Sequence, residues 1–161
     1  MVRRKPQAFT LVEIIIVVVI LSIIAAVSVP SWSTASDSAQ SMAALRIVSA
    51  DLEYAQSIAI TYRKEVTVEF DISGDSYTVK DAGGFVTHPI NRDDFAVDLN
   101  DISGTDKADI TAAEFGSPTG VKLVFDETGT PVGAGGSLTI KVGETTSKIH
   151  VSTATGRVTV E

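Results

Sequence analysis

The sequence contains no cysteine, and its basic side chains are outnumbered by acidic ones. Without cysteine the chain has no disulfides, thiolate metal sites or thiol nucleophiles. It carries 13 Lys or Arg and 20 Asp or Glu, a formal net charge of −7 with a pI of about 4.8. This balance argues against a default nucleic-acid binder. The 161 residues suit one globular domain plus an appendage.

Charge is also missing from a long apolar run near the N-terminus. Residues 14–29 carry no charge, and residues 9–29 carry only that of Glu13. A helix of this length spans roughly 30 Å, about the thickness of the hydrocarbon core of a bilayer. Three basic residues at positions 3–5 precede the run. The pattern predicts a single transmembrane helix with a cytoplasmic N-terminus and an exported remainder.

Two simpler interpretations of the run are a cleaved secretory signal peptide and a plain single-pass anchor. The sequence AAVSVPSW offers a small-residue cleavage site. The run is, however, longer than the roughly 7–15 residues of a signal-peptide apolar region. Neither interpretation explains Glu13, because a lone charge at the bilayer centre costs about 2.5–3.5 kcal/mol.

Glu13 gains a function if the chain is cut before Phe9. Phe9 then carries a free α-amino group, and Glu13 lies near the start of a helix, where the dipole favours a carboxylate. Pairing Glu13 with the amine of an adjacent subunit would offset much of the cost of burying the charge. Such a pair would also set the axial register between parallel helices. The spacing therefore predicts an assembly function for Glu13.

The stretch KPQAFTLVEIIIVVVILSIIAAVSVP resembles the class III signal of type IV pilins and pseudopilins. The resemblance implies that a prepilin peptidase cuts between Ala8 and Phe9 and methylates the new amine of Phe9. Ala8 departs from the glycine that this family nearly always has, and a slower cut is expected. Pro30 falls where pilin helices often carry a loosening proline, and proline removes a backbone donor.

A second helical pattern follows the apolar run. Six residues spaced 3, 4, 3, 4, 3 form one stripe, which indicates an amphipathic helix. These residues are Leu45, Val48, Leu52, Ala55, Ala59 and Tyr62. We therefore expect one long helix from Phe9 to about Tyr62, loosened near Pro30. Its first half would lie in the membrane or filament core, and its second half would pack the stripe on a sheet.

After Arg63 the pattern changes to strands. EVTVEFD places Val66, Val68 and Phe70 on one face, ISGD is a turn, and SYTVK returns with Tyr77 and Val79 inward, which predicts a hairpin. Further candidate strands are FAVDL (95–99), ITAAEF (110–115), VKLVFD (121–126), SLTIKV (137–142), SKIHVS (147–152) and RVTV (157–160). The last three form a predicted meander. The fold class is α+β, with the helix covering antiparallel sheet.

Four segments follow from these patterns. They are a basic leader (1–8), an apolar membrane or filament-core helix (9–30), its amphipathic continuation (31–62) and a β-rich head (63–161).

This half of the chain resembles the H-type minor pseudopilins of type II secretion and their FimT-like relatives. The resemblance rests on LRIVSADLEYAQSIAITYRKEVTVEFD, VKLVFDETGTPVGAGGSLTIKV and IHVSTATGRVTVE, and it covers nearly the whole chain except about 81–118. It implies a pilin-like fold and a bacterial inner-membrane location with a periplasmic head. The implied partners are membrane lipid, other major and minor pseudopilins, the prepilin peptidase and an inner-membrane assembly platform.

The sequence shows no pattern for catalysis, and no cofactor is expected. His88 and His150 lie in different segments without metal-ligand spacing. The serines and threonines show no nucleophile elbow, and VGAGG lacks the lysine of a phosphate loop. Six aspartates between positions 93 and 109 favour a solvated acidic loop over a calcium site, because their spacing does not match an EF-hand.

Three functions remain from the sequence. The favoured one is a structural minor subunit of a type II secretion pseudopilus. The second is a FimT-like pilus subunit that captures DNA, and the third is a standalone membrane-anchored domain. DNA capture needs clustered cations. Removing residues 1–8 leaves 10 basic against 20 acidic side chains, which disfavours it.

Overall fold

The computed structural model describes residues 9–116 and 121–161, and for residues 27–34 it describes the backbone alone. Ala8 and the rest of the predicted leader lie outside the described residues. The chain divides into two compact units, the first up to Ser36 and the second from Asp37 to Glu161. The second half of the long helix therefore belongs to the same unit as the β-strands.

Helix α1 spans Leu11–Tyr62. It begins two residues after the predicted start because Thr10 is its N-cap. It ends because Arg63 adopts a left-handed backbone with φ of 48°, and the amide of Lys64 donates to the carbonyl of Ala59 at 3.2 Å. This bond closes a Schellman-type C-terminus. Pro30 lies inside the helix, and the loosening expected there stays a prediction.

The predicted transmembrane stretch is not found among the described residues. No helical segment in that part of the chain combines the length and the apolar character that a membrane crossing requires.

The amphipathic half of α1 buries one face in the head. Five residues of the predicted stripe are at most 6% exposed, and Ala44 and Ile58 extend the same face. The five are Leu45, Val48, Leu52, Ala55 and Ala59. The prediction for Tyr62 is wrong, because this side chain is 69% exposed. Tyr62 is the last helical residue, where the chain turns away, and Ile58 on the preceding turn fills the end of the core instead.

The strands form two antiparallel sheets. The first has the order β3-β2-β1-β6, and β4 also pairs with β2. Its strands are β1 (Val66–Asp71), β2 (Ser76–Asp81), β3 (Gly84–Phe85), β4 (Ala96–Asp98) and β6 (Lys122–Phe125). The second has the order β5-β7-β8-β9. Its strands are β5 (Ala108–Glu114), β7 (Gly136–Val142), β8 (Thr145–Val151) and β9 (Val158–Val160).

Alternation of apolar and polar residues accounts for most of these strands. Val66, Val68 and Phe70 of β1 are buried while their neighbours are half-buried or exposed, and β2 buries Tyr77 and Val79 in the same way. The predicted hairpin pairs Val68 with Val79 and is confirmed. The inward side chains of both sheets and of α1 form one continuous core.

The irregular region contains the main departures from the sequence prediction. FAVDL is a strand only over Ala96–Asp98 and continues as a 3₁₀ helix, Leu99–Asp101, whose first turn Asp98 caps. The two-residue strand β3 was not predicted. The C-terminal meander is β7-β8-β9 as predicted, with β5 added along the free edge of β7.

Candidate assembly sites

The start of α1 places Phe9, Thr10 and Glu13 together. The hydroxyl oxygen of Thr10 accepts a hydrogen bond from the backbone amide of Glu13 at 3.2 Å. Thr-Leu-Val-Glu is thus half of a capping box, a pattern that the sequence carries and that our sequence reasoning missed. Glu13 lies in the first turn, where the positive end of the helix dipole favours its carboxylate. Among the described residues it has no ion-pair partner.

The helix that follows is exposed on every face. From Phe9 to Ile24 the large apolar side chains are 47–75% exposed. The set comprises Phe9, Leu11, Val12, Ile14, Ile15, Ile16, Val17, Val18, Val19, Ile20, Leu21, Ile23 and Ile24. Ser22 donates its hydroxyl to the carbonyl of Val18 at 2.7 Å, so this polar group is satisfied within the helix. An apolar surface of this extent marks a site of association with other molecules.

Gln56 joins the helix to two turns of the head. Its side-chain amide donates to the carbonyl of Gly129 at 2.7 Å and to that of Thr155 at 2.8 Å. Gly129 and Gly156 both have positive φ, and an added Cβ at Gly156 would lie 2.5 Å from the Gln56 amide nitrogen. Positive φ at both positions, with the Gln56 amide close to Gly156 and Ile60 close to Gly129, explains why both turns carry glycine. The contacts of Gln56 were not predicted from the sequence.

Asp126 organises the first of these turns. Its carboxylate accepts from the Thr128 hydroxyl at 2.7 Å and from the backbone amides of Thr128 and Thr130. The Thr128 hydroxyl, followed by these amides, lowers the pKa of Asp126 below its ordinary value. The carboxylate therefore works as a turn scaffold.

A groove lies beside α1, over β2 and against β4. Its volume is about 950 Å³. In it the phenol of Tyr77 donates to a carboxylate oxygen of Asp51 at 2.5 Å. Burial raises the pKa of Asp51, although the bond from Tyr77 and the nearby His88 oppose that rise. Burial likewise raises the pKa of Tyr77 well above 10.0, and the charge of Asp51 adds to the effect.

The two histidines have separate structural environments. The Nδ1 atom of His88 accepts from the backbone amides of Ile90 and Asn91 at 3.2 and 3.3 Å, and its ring meets that of Phe95 edge-on at 4.6 Å. His150 is exposed on β8. Within residues 9–116 and 121–161, no three His, Cys, Asp or Glu side chains are grouped so as to hold a metal ion.

Two sequence families match the chain. The prokaryotic N-terminal methylation motif covers residues 3–29, and type II transport protein GspH covers residues 44–156. No curated protein matches significantly.

Solved structures share the fold. The type IV minor pilin FimU of Pseudomonas aeruginosa is 22% identical over 74% of this chain and 87% of that one, with a TM-score of 0.51. The minor pseudopilin EpsH from the type 2 secretion system of Vibrio cholerae is 13% identical over 74% of this chain and 94% of that one, with a TM-score of 0.56. These neighbours confirm the predicted α+β, pilin-like fold with its long N-terminal helix.

Proposed function

Because this chain belongs to the GspH family of type II transport proteins, we propose that it is a minor subunit of a type II secretion pseudopilus, used in protein export. It has a structural role and is not an enzyme, since the family and the fold neighbours are pilin and pseudopilin subunits. Other pseudopilins are its partners, as membership of the minor pseudopilin family implies. The observation that carries the proposal is an apolar helix exposed on every face and headed by one carboxylate.

The N-terminal segment would work in two environments. Before assembly, residues 9–30 hold the subunit in the bacterial inner membrane, with the N-terminus cytoplasmic and the head periplasmic. After the prepilin peptidase cuts between Ala8 and Phe9 and methylates Phe9, an inner-membrane platform transfers the helix into the fibre. Outside the membrane, apolar surface left in water would cost about 25 cal/mol per Å², so the helix is buried against its neighbours in the fibre.

Glu13 would set the axial position of each subunit. Its carboxylate pairs with the Phe9 amine of a neighbour, and leaving either charge unpaired in an apolar fibre is costly. The N-cap adds to this arrangement, since the bond from Glu13 to Thr10 uses the backbone amide and leaves the carboxylate free. Thr10 fixes where the helix starts, and Glu13 fixes where the neighbour lies.

Processing is tested by mass spectrometry of the mature protein. We expect Phe9 at the N-terminus with one methyl group on its amine. An intact Met1, or an N-terminus near Ser31 as a secretory signal peptide would give, would contradict the proposal.

The register function is tested by Glu13→Ala. We expect the variant to reach the membrane but to assemble at least about tenfold less well. Breaking a buried ion pair costs more than about 1.4 kcal/mol, the free energy that corresponds to a factor of ten. Assembly is measured as the subunit recovered in sheared fibres. Glu53→Ala, on the exposed face of the head portion of α1, is the matched control.

Thr10→Val separates capping from charge. It removes the side-chain bond to Glu13 and keeps the carboxylate, so it should weaken the helix start by about 0.5–2 kcal/mol and reduce assembly less than Glu13→Ala does. Equal assembly of Glu13→Ala and the parent would overturn the register function. A loss from Thr10→Val as large as that from Glu13→Ala would assign the effect to capping.

The second candidate is a FimT-like type IV pilus subunit that captures DNA. It requires clustered Lys and Arg, whereas the chain beyond Ser36 carries 10 basic and 19 acidic side chains. A gel-shift titration at low and moderate salt discriminates the two functions. Tight, salt-sensitive DNA binding would favour the pilus function, and its absence favours the secretion function. The third candidate, a standalone anchored domain, predicts no recovery in fibres.

A further inference from the structure

The groove beside α1 combines an acidic floor with apolar walls. Asp51 lies half-buried in it, and Ile47 and Ala50 line it from the helix. Opposite them, Ala96 of β4 and Ile90 of the preceding loop complete the walls. Ile90 is 82% exposed, more than any other large apolar side chain among the described residues. An exposed isoleucine in the same groove as a half-buried carboxylate is an arrangement that the fold itself does not require.

The carboxylate of Asp51 has unused acceptor capacity. One oxygen accepts from the Tyr77 phenol, and among the described residues no other hydrogen bond or ion pair reaches this side chain. An ionised carboxylate offers about four acceptor positions. Partial burial makes the free charge costly, and a cation brought into the groove would offset that cost.

The walls select the type of cation. A metal ion would lack a ligand set here, because within the described residues no three His, Cys, Asp or Glu side chains are grouped so as to hold one. Lysine and arginine side chains, in contrast, carry an apolar stem with a charged head. The stem fits the walls formed by Ile47, Ile90 and Ala96, and the head reaches the floor.

We propose that this groove binds a lysine or arginine side chain presented by a partner protein, with the stem against Ile47 and Ile90 and the charged head on Asp51. Asp98 and Asp101 on the same lining strengthen the charge complementarity, while the exposed Arg46 on that lining can meet an acidic neighbour of the cation. The partner is not a second copy of this chain. With 10 basic and 19 acidic side chains beyond Ser36, two such heads repel each other. This inference goes beyond the proposed function, because fibre assembly through the N-terminal helix does not depend on it.

The test uses the full-length protein in detergent micelles and a fluorescein-labelled peptide, Ala-Leu-Arg-Leu-Ala, with binding followed by fluorescence anisotropy. The comparison peptide replaces arginine by citrulline, which keeps the shape and removes the charge. We expect the arginine peptide to bind saturably and the citrulline peptide to bind about tenfold more weakly.

Variants of the protein test which groove residues contact the peptide. Asp51→Asn keeps an acceptor for Tyr77. It should weaken binding of the arginine peptide about tenfold without changing binding of the citrulline peptide. Ile90→Ser should weaken binding of both peptides. Asp109→Asn removes an equal charge from an exposed position on β5 outside the groove and should change neither.

Three results would overturn the proposal. They are the absence of saturable binding by the arginine peptide, equal binding of the citrulline peptide, and an equal loss from Asp109→Asn. Sedimentation of the full-length protein as a dimer in the micelles, lost in Asp51→Asn, would instead make a second copy the occupant. Far-ultraviolet circular dichroism of each variant checks that the fold is retained.

Discussion

Gln56 shows how much of the head depends on one amide. Its two hydrogen bonds tie α1 to the turn after β6 and to the turn before β9. Both acceptors are backbone carbonyls. That of Gly129, a buried residue, is expensive to leave unpaired, whereas Thr155 is exposed to water. A side chain on the helix thus holds a turn from each sheet.

Gln56→Ala should lower the free energy of unfolding by about 1–3 kcal/mol, because the carbonyl of the buried Gly129 loses its donor. Urea denaturation followed by circular dichroism measures the change. Glu53→Ala, three residues earlier on the exposed face, should stay within about 0.5 kcal/mol of the parent. Equal stability of Gln56→Ala and the parent would mean that water replaces the amide.

The buried phenol of Tyr77 should make the fold sensitive to alkali. Its pKa lies well above 10.0 in the folded protein, so above that pH the unfolded chain releases a proton that the folded chain keeps. The contribution of Tyr77 to stability is therefore full below pH 10 and is lost as the pH rises through the folded pKa of this phenol.

A tyrosinate absorbance titration checks this expectation. Tyr77 is 1% exposed, so its phenol should ionise only on unfolding, in a step that coincides with loss of the circular dichroism signal. Tyr77→Phe should remove that step. Ionisation of Tyr77 in a chain that keeps its folded circular dichroism signal would contradict the expectation.

Prediction of buried residues succeeded where helical periodicity determines burial and failed at the end of the helix. Val48 and Leu52 are fully buried as the stripe requires, since their positions follow from helical geometry. Tyr62 satisfies the same spacing but lies where the helix ends, so the core does not continue beneath it. Partners distant in sequence, such as Gln56 and Thr155, leave no local signal.

At the scale of elements, the turn at Gly129 is closely constrained by helix α1. Its φ is +78°, and a Cβ there would lie 2.7 Å from the side chain of Ile60 on α1. Gly104 has a similar φ of +90°, but a Cβ added there would have no atom of the described residues within 4 Å. An alanine at Gly104 therefore introduces backbone strain alone, whereas an alanine at Gly129 introduces the same strain and a steric contact.

Gly104→Ala should cost about 1–2 kcal/mol from the left-handed backbone alone, and Gly129→Ala should cost more. Combining Gly129→Ala with Ile60→Ala should recover most of the difference, because it removes the two contacts at 2.7 Å and leaves the strain and the contact with Gln56 Cγ at 3.0 Å. Thermal denaturation of the parent, Gly129→Ala, Ile60→Ala and the double variant completes the cycle, with Gly104→Ala measured beside it. Equal costs at the two glycines would show that Ile60 moves aside freely.

The strands were predictable where a buried face alternates over several residues, as in β1 and β7. The strand β3 has two residues, too few for a pattern, and exists because Phe85 and Gly84 pair with the end of β2. Which sheet β5 and β6 join was also beyond the sequence, since pairing over long separations depends on the assembled core. The candidate assembly residues at the N-terminus were found because the motif is compact, although the capping function of Thr10 was overlooked.

For the whole molecule, hydrogen-bonded carboxylates predict a loss of stability in acid. The pKa values of Glu69, Asp71, Asp81 and Asp126 are lowered from 4.5 for Glu and 3.8 for Asp. The main causes are, in that order, bonds from Lys122, the Ser73 hydroxyl, Lys64 and the Thr128 hydroxyl. Each group favours the fold above its unfolded pKa and loses that contribution as the pH falls through its folded pKa.

We expect the urea midpoint to fall as the pH drops below about 4. Asp51 acts in the opposite direction, since its raised pKa means that protonation favours the fold. Asp51→Asn should therefore make the fall of the urea midpoint between neutral pH and acid larger than it is in the parent. A midpoint that stays constant or rises between neutral pH and about pH 3 would contradict the assignment of these carboxylates.

The interleaved order of the strands constrains how the head can be made. The chain builds β1 to β4 in the first sheet, places β5 in the second, returns to the first with β6 and finishes with β7 to β9. A polypeptide that emerges N-terminus first can close neither sheet until residue 125 has appeared, and β5 stays unpaired until β7 follows. Distant pairings of this kind are slow to form. A nascent head is thus an open, strand-rich intermediate for most of its synthesis or translocation. A holding chaperone would bind the unpaired strands during that time.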